Sequence, residues 1–333
     1  MTQDNIADQY RGGKLLGYIP DPKADAAFDT FLRRNGYYAN AGDAVDDYHL
    51  SEVGKDVVSL PYLAAVSMYP GCLGRQWQKR GSCVAWSTRN ALMVSYCAYL
   101  KYGDNAEKFA APTLSQTAID NGAFSTEGIY WFRRHGSDGW QCSAAAQVAT
   151  EECGLLERRN YEEIGIDLTK YDPRTEGRWG ASLPPQNVRD LCNDHISGNA
   201  TVCKTWEQVR SMVASGYALS TCGMEAFKFE RDEYGLCKRD FYDSWAHAMA
   251  VIGVDDRPEV RQKYSSGLVL VQNSWPPEMV TGPDTVVGTG KRIPPCSFWA
   301  RWEDFKNRYI VALGPSKGWT PAKMPNWGGE GIL

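Results

Sequence analysis

The chain has 333 residues, of which 43% are hydrophobic and 23% charged, and it carries a formal net charge of −4. That length buries a sizeable core in one large domain or two smaller ones, and the composition is ordinary for a globular protein. The acidic balance argues against a nucleic-acid-binding role, which draws on a basic face.

No run approaches 18 apolar residues, so no membrane-spanning helix is expected. The opening MTQDNIADQYRGGKLLGYIP lacks the basic-then-apolar order of a secretory signal. The expected setting is therefore the cytoplasm, or an assembly such as a virion. The ten cysteines include no C-x-x-C pair. In a long chain without a signal they read as buried thiols rather than a disulfide framework or a zinc site. No metal or cofactor motif is found, so none is expected.

Residues 1–55 read as an extension. Pro20 and Pro22 break its start, Ala27, Phe28, Phe31 and Leu32 follow helical spacing, and Gly36 ends that helix. Residues 71–82 form a polar, Gly-punctuated loop. From Cys83 to Gly103, the residues Ala85, Thr88, Leu92, Tyr96 and Tyr99 recur as on an amphipathic helix. Ser82 is its candidate N-cap and Gly103 its stop. Further helices are predicted over Glu127–His135, Ser143–Cys153 and 205–214. Beyond Gly216 come apolar, β-branched runs: Tyr217–Cys222, His247–Val254, Gly267–Trp275 and Phe298–Trp302. These predict strands. A helix-rich first half and a strand-rich second half predict an α+β protein in two lobes. The tail from 313 to 333 reads as irregular.

Cys83 therefore stands at a helix N-terminus, which lowers a thiol's pKa, as does a nearby imidazolium. Four histidines are available. His49 lies in the polar extension, His135 at a helix end and His195 in a polar loop. His247 alone opens a strand-like run, a rigid place for a base. Asn273 ends the next such run, where antiparallel pairing would bring it to His247. Its carbonyl could fix the imidazole tautomer, completing nucleophile, base and orienter.

Gly81-Ser82-Cys83-Val84-Ala85-Trp86-Ser87, His247-Ala248-Met249-Ala250-Val251-Ile252-Gly253-Val254 and Gln272-Asn273-Ser274-Trp275 resemble, in order, the nucleophile, base and orienter segments of the papain family of cysteine peptidases. Leu114-Ser115-Gln116 and the stretch from Gly154-Leu155-Leu156 to Tyr161 also resemble family segments. The resemblance covers about 56–312. It implies a helical lobe at about 80–200 and an antiparallel β lobe at about 201–312, with the active-site cleft between them. It also implies an endopeptidase that acts on polypeptides through an acyl-enzyme. Cys83 would attack and His247 would move the proton, with Asn273 orienting it and Trp275 covering the His–Asn contact.

The match departs from the family in several places. The family's oxyanion glutamine falls at Trp77, between Gln76 and Gln78, so either could pair with the Cys83 backbone N–H. The glycines that hold substrate backbone are matched only by Gly136 and Gly139. Pro276 and Pro277 follow the NSW segment, and the His247-to-Asn273 spacing places an insertion at Asp255–Ser266. The extension lacks the pattern of the family's inhibitory propeptide, although autoinhibition by 1–55 stays open. Two other readings compete. One is a papain-like fold used as a structural or assembly component, docking partners through the extension and tail. The other is a transglutaminase-like or amidase-like Cys–His hydrolase, which Asn273 argues against.

Overall fold

The computed structural model describes residues 16–104, 111–193, 198–315 and 321–328. His195 and the first fifteen residues of the extension lie outside this set.

Helix α1 (Pro22–Arg34) starts where the Asp21 carboxylate accepts the Lys23 and Ala24 N–H groups. Pro22 occupies the first turn, where a missing donor costs nothing. Phe28 and Leu32 bury one face of α1 while Ala27 stays exposed. Gly36, at φ +74°, then turns the chain away.

Helix α2 (Cys83–Tyr102) departs from the amphipathic expectation. It is buried nearly all round, including Arg89 and Asn90, while Tyr96, Tyr99 and Tyr102 are half-exposed and Lys101 is exposed. A helix sheathed on every side belongs at the centre of a fold, and α2 packs between the helical half and the sheet. Helix α3 (Glu127–Tyr130) is shorter than the predicted Glu127–His135. Arg133 Nη1 takes the Tyr130 carbonyl that a longer helix would need, and Arg134 adopts φ +62°. Helix α4 (Cys142–Glu151) closes the helical half against α1.

Among the described residues the second half, joined by one short strand from the first, forms a seven-stranded antiparallel sheet. Its strands are β1 (Val58–Ser59), β2 (Asn199–Cys203), β3 (Leu219–Arg231), β4 (Cys237–Asp255), β5 (Leu268–Gln272), β6 (Ser297–Arg301) and β7 (Tyr309–Gly314). The order is β6-β5-β4-β3-β7-β2, and β1 adds to β4. Helix α5 (Trp206–Ala214), capped by Thr205, packs against the sheet. The predicted insertion holds helix α6 (Pro258–Tyr264). In the tail, irregular residues 321–328 bond back to the body: Ala322 N donates to Ser215 O, and Trp327 N to Val58 O.

His247 does not open its strand. β4 begins ten residues earlier at Cys237, and most of that first stretch is polar and partly exposed, so it gives no apolar signal. Asn273 directly follows β5. The register pairs Gly223 of β3 with His247, and Ala250 of β4 with Gln272. That places the end of β5 beside the middle of β4. Eight cysteines are free and buried, as expected. Cys142 and Cys222 depart from that reading and form a disulfide that ties α4 to β3.

Candidate active site

Cys83 is the first residue of α2 and is fully buried. The backbone N–H groups of Ala248, Gly17 and Val84 point at its sulfur. Ser82 precedes it at the cap position, but its side chain does not cap the helix. Its hydroxyl donates instead to Glu176 Oε2 at 2.8 Å. That buried carboxyl also accepts from Tyr171 Oη (2.8 Å) and Thr126 Oγ1 (3.0 Å). Burial, followed by the neighbouring Glu127, pushes Glu176 up to about 7. A local hydroxyl-to-N–H cap has thus given way to a long-range network that anchors the start of α2. The sequence offered no signal for it, because Glu176 lies 94 positions away.

His247 Nε2 lies 2.8 Å from Asn273 Oδ1. A carbonyl oxygen accepts only, so Nε2 carries the proton and Nδ1 is left with a lone pair. Nδ1 is buried and has no hydrogen-bond partner among the described residues. The Trp275 indole stacks on the imidazole with centroids 4.5 Å apart and planes 28° apart, and both rings are buried. Sequence reasoning therefore found residues that the fold brings together.

The two glutamines part company. Gln76 Nε2 donates to Asn121 Oδ1 at 3.2 Å, on the helical side. Gln78 is fully buried against the Asn273 segment: its N–H donates to Ser274 O (2.9 Å), and its Oε1 accepts from Ser274 Oγ. Its Nε2 donates to Arg80 O at 3.0 Å. The two glycines also part. Gly136 is exposed, beside Ala181. Gly139 is buried at φ +95°, and its N–H donates to Gly81 O.

A strap formed by Leu16 to Pro20 lies across the seam between the two halves, with the Gly17 N–H beside Cys83. Tyr18 N donates to Ala246 O (3.0 Å) on the strand side. Trp140 N donates to Gly17 O (2.7 Å), and Ile19 N donates to Trp140 O (2.9 Å), on the helical side. Tyr18 and Trp140 thus form a parallel bridge. A Cβ on Gly17 would lie 2.0 Å from Gly81 O, and one on Gly139 would lie 3.0 Å from Ile19 Cγ1. Both glycines are what let the strap sit so close. Trp140, which sequence reasoning passed over, holds the strap through its backbone N–H and carbonyl. Its contribution is main-chain, so its side chain gives no clue.

Burial disfavours the charged form of both Cys83 and His247. Burial pushes the Cys83 thiol up to about 11, while the three N–H groups and the Arg308 charge pull the other way. Burial pushes His247 down to about 3; the Asn273 bond opposes that, and Arg308 adds to it.

No protein-family model matches the chain, and no curated protein sequence does. The structure of xylellain, a cysteine protease from Xylella fastidiosa, matches 90% of this chain and 96% of its own at 14% identity, with a TM-score of 0.50. The cysteine protease and lectin-like domains of Cwp84, a surface layer associated protein of Clostridium difficile, match 79% of this chain at 16% identity and a TM-score of 0.42. Only 52% of that chain is spanned. The fold is that of the papain-like cysteine proteases, helical on one side and an antiparallel sheet on the other, in a divergent example.

Proposed function

We propose that this protein is a cysteine peptidase, with Cys83 as nucleophile, His247 as base and Asn273 as orienter, held latent by its own strap. The observation that carries the reading is the His247–Asn273 bond. It fixes the proton on Nε2 and leaves Nδ1 as a buried lone pair with no hydrogen-bond partner among the described residues, so Cys83 Sγ and Nδ1 would close up before the proton passes. In the reaction Cys83 Sγ attacks a peptide carbonyl. His247 returns its proton to the leaving amine, and then activates the water that hydrolyses the thioester. Gln78 is the proposed oxyanion donor together with the Cys83 N–H, because Gln78 lies buried beside Ser274 in the Asn273 segment whereas Gln76 is held on the helical side by Asn121; to serve, Gln78 Nε2 would have to leave its bond to Arg80 O. Trp140 and Gly139 would hold the substrate backbone where they now hold the strap.

The latency follows from desolvation. Exchanging a buried neutral thiol and imidazole for a thiolate and an imidazolium is costly in a low-dielectric site. Moving the strap lets water in and lowers that cost.

The test is the pH dependence of Cys83 alkylation, followed by mass spectrometry in wild type and His247→Ala. A working dyad gives labelling well below pH 8 once the strap opens, and loses it in the variant. Identical profiles would favour the same fold serving as a structural component.

A further inference from the structure

We propose that Arg308 is a positioning residue for the Cys83 thiolate, acting through the peptide unit that joins His247 to Ala248. This inference rests on the reading of Cys83 and His247 as nucleophile and base.

Arg308 immediately precedes β7, and its side chain is completely buried. Its Nη2 donates to His247 O. Its Nη1 donates to Glu225 O and Glu225 Oε2, each at 3.3 Å. The His247 carbonyl belongs to the same peptide plane as the Ala248 N–H, and that N–H points at the Cys83 sulfur. A guanidinium bond to the oxygen of a peptide polarises it, so its N–H becomes a better donor to an anion on the other side. One charged side chain thus grips the base's backbone and strengthens a donor aimed at the nucleophile.

The strands are built to admit this side chain. Gly223 faces His247 across β3 and β4. A Cβ at Gly223 would lie 2.7 Å from Arg308 Cγ and 2.4 Å from Glu225 Oε2. Any larger residue there would push the guanidinium off the His247 carbonyl. The register shift between Gly223 and Glu225 turns Glu225 toward the same guanidinium, completing a buried pair. The titratable and charged groups around the guanidinium are Glu225, Cys83, Tyr18 and His247. Its fixed charge favours the Cys83 thiolate and disfavours the His247 imidazolium, so it supports the thiolate independently of the base.

The experiment is the pH profile of Cys83 alkylation in the full chain carrying Gly17→Val, which releases the strap from Cys83. Profiles are compared for wild type, Arg308→Lys, Gly223→Ala and the double variant Arg308→Met with Glu225→Gln, each with His247 present and replaced by Ala. Removing both partners of a buried pair avoids stranding one charge. Thermal melting reports folding. The double variant is expected to move the alkylation midpoint up by about one unit, or about tenfold slower labelling near neutral pH, with the high-pH plateau rate kept. Arg308→Lys and Gly223→Ala, which keep the charge but disturb its grip, are expected to shift it by less. The upward shift must also appear in the His247→Ala background, where no imidazole contributes. A profile unchanged in every folded variant, or a fall in plateau rate with no change in midpoint, overturns the proposal. Should His247→Ala leave the profile of the strap-released chain unaltered, the dyad reading fails, and the Arg308 midpoint shift is still scored separately.

Discussion

Substituting Gly17 by Val gives the strap its sharpest test. A Cβ there would sit 2.0 Å from Gly81 O and 2.5 Å from Gly81 C, which are backbone atoms that cannot rotate away. Relief requires the strap to move by more than 1 Å. That breaks its three backbone hydrogen bonds of 2.7 to 3.0 Å to Trp140 and Ala246. At about 1 kcal/mol net for each bond, the closed form loses about 3 kcal/mol, so the open population rises by about two powers of ten. The assay is the second-order rate of Cys83 carbamidomethylation between pH 5 and 11, with thermal melting as the folding control. The account predicts a rate at pH 7 about a hundredfold above wild type and a midpoint shifted well below the covered value of about 11. A folded Gly17→Val protein that labels at the wild-type rate would refute the claim that this segment covers the nucleophile.

Three further outcomes follow from the same geometry. Gln78→Ala, in the strap-released protein, is expected to lower kcat toward peptides by about two to three powers of ten with little change in KM, while Gln76→Ala leaves kcat within a few-fold; the reverse ranking would assign the oxyanion role to Gln76. Replacing Cys142 and Cys222 by Ser opens a loop spanning 80 positions, and chain entropy puts the loss at about 4.5 kcal/mol, read as a lower urea midpoint. Glu176 has a folded value of about 7 against an ordinary 4.5. Its stabilising contribution is therefore present below pH 4.5 and lost as pH rises through 7, amounting to about 3 kcal/mol. Urea unfolding at pH 5 and pH 8 should show that loss in wild type and a flatter response in Glu176→Gln; parallel responses would mean Glu176 does not ionise in this range.

What was legible in the sequence was local. Cys83, His247 and Asn273 each sit in a short apolar or Gly-bounded context, and the strand that carries His247 and the one that ends just before Asn273 include buried runs whose β-branched residues announce them. Helix α2 was legible as a helix, but its surroundings were not. Nothing in the amphipathic spacing announces that Arg89 and Asn90 are enclosed with the rest of the helix. The choice between Gln76 and Gln78 was closed to the sequence because residues two apart in extended chain share a side; long-range contacts to Asn121 and Ser274 separate them. The strap was illegible for a different reason. Its bonds are made by main-chain groups of Gly17, Tyr18 and Ile19, and such bonds leave no side-chain signature beyond the glycine itself. Glu176 and Arg308 were missed because isolated charged residues read as solvated until folding buries them beside the site.

The most direct measurement is cleavage of a diverse peptide library by the full chain carrying Gly17→Val, with new N-termini identified by mass spectrometry. A library removes dependence on an unknown specificity. The account predicts new termini that disappear when Cys83→Ala or His247→Ala is added. Freely alkylated Cys83 with no Cys83-dependent termini would contradict it, and would leave the fold as a scaffold rather than a peptidase.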